Sequence, residues 1–177
     1  MDWLDPKVIV WPEDRITSEY DQQQAAALRA SMAHLGQQDA IGVFELDGGG
    51  YEGAAGMNRC QAAIDSGAAE VLCVVRQGSH RDVIRANIAT ALNQSRANPL
   101  SEVEGIAKAH FNEGFTIDEL AEMAGKTSDW VEDRVSIFEA SPAVRQSLRY
   151  RVIAIGHAVL LAEVEGQTAQ EEAVNLV

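Results

Sequence analysis

The sequence has few cysteines and few basic residues, and it lacks any long apolar run. Its two cysteines, Cys60 and Cys73, form no CxxC pair and have no histidine cluster nearby, which argues against a zinc site. Cys73 lies within the apolar run Val71–Val75 and is interpreted as a small buried residue. No run approaches the roughly 20 apolar residues that span a bilayer, and the N-terminus lacks the basic and apolar regions of a signal peptide. The chain is therefore expected to be soluble and cytoplasmic, with no membrane partner.

The shortage of basic residues limits the possible partners. The 177 residues include 14 Lys and Arg against 27 Asp and Glu, a formal net charge of −13. A charge of this sign repels nucleic acids at long range. A DNA-binding function therefore requires a local basic face, or a partner or further segment that supplies one.

Short strand-like runs alternate with helical ones as far as about Val75. Strands are predicted at Val8–Trp11, Ile41–Leu46, Tyr51–Ala55 and Glu70–Val75. The segment Asp47–Gly50 predicts a hairpin, because glycine supplies the positive φ that a tight turn needs. Apolar spacing and closing glycines predict helices at Gln23–Leu35, Met57–Ser66 and His80–Asn93.

The rest of the chain is predicted to be helical, apart from a weak case for a strand at Val152–Ile155. Asn98 precedes Pro99, and a residue in that position is pushed out of the helical region. We therefore predict a boundary there, with one domain over residues 1–97 and a second over residues 98–177. The order of elements predicts an α+β protein whose second domain is all-α.

The clearest motif runs from Phe115 to Val131 and predicts a helix-turn-helix. Thr116 and Glu119 have the spacing of a capping box, Gly125 provides a sharp turn, and Thr127 or Ser128 caps the next helix. In such motifs the second helix enters the major groove of DNA. A helical hairpin that serves only packing or protein contacts remains an alternative.

The exposed positions of the second helix are largely acidic, namely Asp129, Glu132 and Asp133. Carboxylates accept a hydrogen bond from cytosine but are repelled by phosphates. A small basic cluster that includes Arg151 lies downstream, where ordinary solvated arginines are the alternative. Trp130 is interpreted as an anchor between helices or as a base-stacking group. The DNA-binding candidates are Lys126, Thr127, Ser128, Trp130, Arg134, Arg145 and Arg149.

A strand, a glycine and a helix follow one another between Tyr51 and Ala63. The free N–H groups and the dipole at such a helix start favour an anion, and Arg59 lies within the first turn. An ordinary structural turn is the alternative. Glu52 is the nearby acid and is interpreted as a solvated strand residue. Without a carboxylate pair or a histidine cluster, an enzyme site is disfavoured here.

The order of these pieces resembles the ParB family of chromosome and plasmid partition proteins. The resemblance rests on the segments IGVFELDGGGYEGAAG, GMNRCQAA and NPLSEVEGIAKAH, followed by the helix-turn-helix, and it covers about Pro6–Val164. It implies a ParB/sulfiredoxin-like N-terminal domain with a small mixed sheet, followed by a helix-turn-helix domain.

The resemblance also implies partners and a cofactor. In the family, CTP with Mg²⁺ closes two N-terminal domains into a clamp on double-stranded DNA with a palindromic site. A ParA-type ATPase and a nucleoid or plasmid location are expected as well. The expected homodimer forms through the N-terminal domain or through a C-terminal domain, for which nothing remains after the helical region. The chain is accordingly expected to be truncated or a short variant.

The phosphate-binding motif of the family, G-E-R-R-x-R-A, corresponds to Gly56–Ala62, and E-N-x-x-R corresponds to Leu92–Arg96. The resemblance implies that the nucleotide-binding residues are Gly56, Met57, Asn58, Arg59, Asn93 and Arg96. Leu92 replaces a metal-proximal Glu and so removes an oxygen ligand that Mg²⁺ favours. At most a weak CTPase activity is expected, and no catalytic residue or metal ligand is assigned. The alternatives are a nucleotide-silent adaptor or corepressor, and a nuclease or small-molecule kinase on the same fold.

Overall fold

The computed structural model describes residues 1–13, 15–16, 22–93 and 99–176. The chain divides into two compact units. The first lies within Met1–Arg15 and Glu19–Thr90, and the second lies within Ile16–Ser18 and Ala91–Val177. The predicted boundary between residues 97 and 98 touches residues outside the described ranges and stays a prediction.

The first unit is built on a mixed sheet. Its strands are β1 (Asp2–Leu4), β2 (Ile9–Val10), β3 (Ile41–Leu46), β4 (Tyr51–Ala55) and β5 (Val71–Gly78). Their order across the sheet is β1-β5-β3-β4-β2. The hairpin β3–β4 and the pair β1–β5 are antiparallel, whereas β3–β5 and β2–β4 are parallel. The predicted hairpin is confirmed, and its turn closes with a bond from Gly49 N to Leu46 O.

Helices cover both faces of this sheet. They are α1 (Gln22–Leu35), α2 (Met57–Asp65) and α3 (His80–Asn93). Consecutive strand residues face opposite sides, so Val43 joins one apolar cluster, with Cys60 and Cys73. Phe44 joins the other, with Ala54 and with Val83 of α3. The predicted burial of Cys73 is thereby confirmed, and burial raises the pKa of its thiol to about 11.

The predicted strand Val8–Trp11 is shorter in the structure, where only Ile9 and Val10 pair with β4. Pro6–Val8 form a 3₁₀ helix instead, because Pro6 fixes φ at a helical value and the Asp5 side chain accepts a bond from Lys7 N. Trp11 lies flat against Gly53, where a Cβ would come within 2.6 Å of the indole ring. Gly53 therefore makes room for Trp11.

The second unit is helical within the part of the chain described. Its helices are α4 (Pro99–Phe111), α5 (Ile117–Ala124), α6 (Ser128–Glu139), α7 (Pro142–Arg149), α8 (Ile155–Ala162) and α9 (Gln167–Val174). Val103, Ile137, Leu148 and Leu161 from four of these helices meet in one buried core. Together the two units confirm the predicted α+β class.

The weak strand prediction at Val152–Ile155 is wrong. Val152 N and Ile153 N both bond to Ser147 O, which folds this segment back onto the end of α7, and α8 begins at Ile155. The turn places Arg151 at a positive φ of 57°. Across residues 1–13, 15–16, 22–93 and 99–176, none of the helices has the length and apolar character needed to cross a membrane.

Candidate functional site

The predicted helix-turn-helix is formed by α5 and α6, and its caps are as the sequence indicates. Thr116 Oγ1 accepts a bond from Glu119 N (3.2 Å), and Glu119 Oε2 accepts one from Thr116 N (2.8 Å). Gly125 ends α5 at φ 61°, a left-handed conformation that suits glycine. Thr127 Oγ1 then accepts a bond from Trp130 N and starts α6.

Further contacts fix the angle between the two helices. Ser128 Oγ donates to Asp118 Oδ1 at 2.7 Å, which joins the first turns of α5 and α6. Ala121 and Val131 are buried where the helices meet, and the small side chain of Ala121 allows a close crossing. The motif is therefore a defined turn whose exposed side presents the start of α6.

Arg134 was predicted from the sequence to contact DNA, but in the structure it is not exposed. It is 7% exposed, and its Nε donates to Glu102 Oε1 of α4 at 2.9 Å. Its guanidinium carbon lies 3.7 Å from the centre of the Trp130 ring, and Nη1 donates to Trp130 O. The guanidinium of Arg134 thus packs against one face of the Trp130 indole in a cation–π contact.

The residues at the turn are more accessible. Lys126 and Thr127 are exposed, and the ammonium of Lys126 lies 5.9 Å from the Trp130 ring centre. Asp129 and Glu132 on α6 are exposed as well. The structure therefore brings Lys126, Thr127, Ser128 and Trp130 together. The negatively charged carboxylates of Asp129 and Glu132 lie on the same helix, α6.

The two downstream arginines differ from each other. Arg145 donates to Phe138 O at 3.1 Å and lies over the Phe138 ring at 5.7 Å, so its charge is partly used in joining α7 to α6. Arg149, in the last turn of α7, is exposed and available to a phosphate.

The glycine turn predicted for phosphate binding connects β4 to α2. Gly56 has φ 94°, and a Cβ there would meet Arg59 Nη2 at 3.3 Å and Ile41 Cα at 3.4 Å. Only glycine fits both the conformation and the space. The backbone N–H groups of Met57 and Asn58 donate to no acceptor among the described residues. Both groups lie at the N-terminus of α2, where an anion is favoured.

Arg59 folds back over this helix start. Its Nη1 is fully buried and makes no hydrogen bond with any described residue. Asp39 Oδ2 lies 3.3 Å from that nitrogen, within ion-pair distance but without the alignment of a hydrogen bond. A buried guanidinium donor without an acceptor fits a site for an anionic oxygen.

Two of the predicted nucleotide residues lie partly or wholly outside the described residues. Asn93 is the last residue of α3, and its side chain lies outside the described part of the chain, as does the whole of Arg96. Their roles remain predictions. In the residues that the structure describes, no group of three or more His, Cys, Asp or Glu side chains is arranged to hold a metal ion.

The interpretation of Glu52 as a solvated residue is wrong. Its side chain is 16% exposed, and its Oε2 lies 2.7 Å from Nδ1 of His80, at the start of α3. The pairs Glu52–His80, Asp39–Arg59 and Glu102–Arg134 were all missed from sequence, because each joins residues that are distant in the chain. Only the topology of strands and helices brings them together.

The first unit places a mixed sheet between helices on both faces, and the second carries a helix-turn-helix with a defined turn. This pairing defines a class of α+β proteins in which a small sheet domain precedes a helical domain that contains a helix-turn-helix. Family models described as the ParB N-terminal domain and the ParB HTH domain match residues 3–92 and 95–177, respectively. The chain belongs to the ParB family, which confirms the resemblance seen in the sequence.

Individual relatives agree with this assignment. The chain is 28% identical to a probable chromosome-partitioning protein ParB of Vibrio cholerae, over 81% of this chain and 49% of that protein. It is 30% identical to the chromosome-partitioning protein Spo0J of Thermus thermophilus, over 67% of this chain and 44% of that protein. The chain therefore spans about half the length of the curated relatives it matches.

A solved structure supports the fold. The C-terminally truncated ParB from Caulobacter crescentus, complexed to the centromeric parS site, matches with a TM-score of 0.67 at 18% identity. The match covers 99% of this chain and 92% of that chain.

Proposed function

We propose that this chain binds double-stranded DNA through α6 as part of a chromosome or plasmid partition system, or as a related transcriptional regulator. The observation that carries the proposal is the helix-turn-helix itself, with Thr116, Gly125 and Thr127 each in its structural role. Support comes from relatives named as chromosome-partitioning proteins and from the Caulobacter relative that was complexed to a centromeric DNA site. A DNA-bound protein of this kind would be located at the nucleoid or on a plasmid.

Lys126 and Arg149 are the proposed phosphate contacts, because both are exposed cations in the helical unit. Thr127 and Trp130 lie at the start of α6, where base edges are read in such motifs. Few phosphate contacts imply a shallow salt dependence, since each contributes roughly −0.9 to the slope of log K against log[salt].

The test begins with selection of bound sites from a pool of random DNA duplexes, followed by affinity measurements from 50 to 200 mM salt. Lys126→Ala is expected to weaken binding to the selected duplex and to flatten the salt slope by about 1. Lys7→Ala, which removes an equal charge in the other unit, is the control and is expected to change neither. Absence of duplex binding at the lowest salt would contradict the proposal.

A second candidate function is an adaptor or corepressor that acts through protein contacts. The exposed carboxylates of Asp129 and Glu132 on α6 and the net charge of −13 favour it. It predicts no duplex selection and no effect of Lys126→Ala on DNA, so the same experiment separates the two functions.

We also propose that the first unit binds CTP with Mg²⁺. The free N–H groups of Met57 and Asn58, the position of Gly56 and the buried donor of Arg59 support a phosphate site. When bound, Mg²⁺ would neutralise phosphate charge, and its ligands would come largely from the nucleotide and water because Leu92 replaces the family's Glu. Hydrolysis is expected to be weak or absent for the same reason.

Calorimetric titration with CTP, ATP and GTP, each with Mg²⁺, tests this site. CTP is expected to bind saturably, and Arg59→Ala is expected to abolish the heat, since a charge-assisted bond is lost. Arg76→Ala, an exposed arginine at the far end of β5 from Ile41, is the matched control. If no nucleotide binds, the second unit alone carries the function.

The proposal includes a homodimer on a palindromic site and a ParA-type ATPase as partner. Sedimentation with and without CTP and the selected duplex tests the dimer. A monomer under all of these conditions would contradict it.

A further inference from the structure

Asp39 lies beside the proposed phosphate site, although its carboxylate carries the same sign of charge as a phosphate. Its Oδ2 is 3.3 Å from Nη1 of Arg59, and its side chain is 82% exposed. An exposed aspartate usually remains in water and gains little from an ion pair. Its place next to the one arginine of this turn therefore calls for an explanation.

The backbone around Asp39 is held in place, so this proximity is built into the fold. Gln37 Nε2 donates to Asp39 O at 2.9 Å and to Leu72 O at 2.7 Å. Leu72 N in turn donates to Gln37 Oε1 at 2.8 Å, which ties the segment to β5. The chain then enters β3 at Ile41, whose Cα adjoins the glycine turn.

We propose that Asp39 is an internal competitor of the nucleotide phosphate for Arg59, and that it lowers the affinity of the first unit for nucleotide. The inference rests on the proposed nucleotide function of the Gly56–Arg59 turn. Asp39 neutralises the arginine charge in the unbound protein, and a bound phosphate has to displace its carboxylate or tolerate it at close range.

The geometry favours displacement. Asp39 supplies charge to Arg59 Nη1 but accepts no hydrogen bond from it, so the buried donor is still unsatisfied. A phosphate oxygen at the helix start would accept that bond and also meet the N–H groups of Met57 and Asn58. The carboxylate is exposed, so it can swing into water when the phosphate arrives.

The test is nucleotide affinity in Asp39→Asn, a nearly isosteric change that removes only the charge. CTP with Mg²⁺ and inorganic tripolyphosphate are the two probes, titrated by calorimetry. Two unit charges about 4 Å apart near water interact strongly enough to change an affinity by about five- to tenfold. Asp39→Asn is therefore expected to bind both probes about five- to tenfold more tightly, and the gain is expected to shrink at high salt.

Asp47→Asn is the matched control. It makes the same change in net charge at an exposed position in the hairpin turn, at the opposite end of β3 from Ile41. Its affinity for both probes is expected to equal that of the unchanged protein. An equal gain in both variants would mean that overall charge, and not competition for Arg59, sets the affinity.

The remaining outcomes separate this inference from the function on which it rests. Saturable CTP binding with equal affinity in Asp39→Asn and the unchanged protein would overturn the inference alone. Weaker CTP binding in Asp39→Asn, seen only with Mg²⁺, would overturn it in favour of Asp39 as a metal ligand. Absence of binding of either probe to every variant would overturn both the inference and the nucleotide function.

Discussion

The guanidinium of Arg134 is bonded to a residue of the neighbouring helix α4 and stacked on a residue of its own helix α6. Glu102 holds it from α4, Trp130 covers it, and Asp133 Oδ2 lies 4.0 Å from Nη1. The Arg134 and Glu102 side chains are only 9% and 18% exposed. Removal of one partner therefore leaves a poorly solvated charge in place.

We expect Glu102→Leu to lower the free energy of unfolding of the helical unit by roughly 3 kcal/mol, since Arg134 loses its main partner in a mostly buried position. Urea unfolding measures the loss. Glu104→Leu on the same helix is the control and is expected to cost less than about 1 kcal/mol. Equal losses in the two variants would show that the ion pair is not the cause.

Cys73 gives a prediction for alkaline pH. Burial is the main cause that raises its pKa from 9.0 to about 11, with the charges of Cys60 and Asp2 adding to the effect. The unfolded chain ionises this thiol at lower pH than the folded chain does, so stability is lost as pH rises from about 9 to about 11. Cys73→Ala is expected to remove that part of the pH dependence. The small cavity that it leaves is expected to lower the free energy of unfolding by the same amount at every pH. Unfolding curves measured at several pH values test this. If the free energy of unfolding of Cys73→Ala and of the unchanged protein fell in parallel above about pH 9, the prediction would be contradicted.

Sequence patterns predict residues whose role is local and miss those whose role depends on a distant partner. Thr116, Gly125 and Gly56 were predicted because caps and turns are read within a few residues. The placement of Arg134 could not be predicted, because its partner Glu102 is 32 positions away. Asp39 gave no signal for the same reason.

At the scale of elements, α5 depends on its capping box. Thr116→Ala removes the acceptor of the Glu119 N–H and is expected to destabilise the helical unit by about 1 kcal/mol. Urea unfolding measures this loss, and amide hydrogen exchange in α5 localises it. Ser136→Ala, at an exposed position within α6, is the control, because alanine is the better helix former there. Exchange that is unchanged in the first turn of α5 would show that the cap is dispensable.

Most elements of the fold follow from periodicity and glycine, and the exceptions have physical causes. The Val8–Trp11 run is apolar enough for a strand, but Pro6 and the Asp5 side chain start a 3₁₀ helix that includes Val8. The Val152–Ile155 run is also strand-like in composition, yet the N–H groups of Val152 and Ile153 donate to Ser147 O. Local composition alone does not show which acceptor a backbone donor will meet.

At the scale of the whole molecule, each unit has its own core, with Val43 in one and Leu148 in the other. We expect two calorimetric transitions. Val43→Ala is expected to lower mainly the transition temperature of the sheet unit, and Leu148→Ala mainly that of the helical unit. The leucine change is expected to lower the free energy of unfolding of the helical unit by roughly 2–5 kcal/mol. Equal shifts of a single transition in both variants would show that the two units unfold together.

The short N-terminal strands have a consequence for how the protein is handled. The segment from Asp2 to Val10 supplies both edges of the sheet, β1 beside β5 and β2 beside β4. Deleting it would uncover unpaired backbone groups on β4 and β5 at once, and the first half of β5 is strongly apolar. Shortened versions are therefore expected to aggregate by edge-to-edge pairing, and affinity tags are better attached at the other terminus.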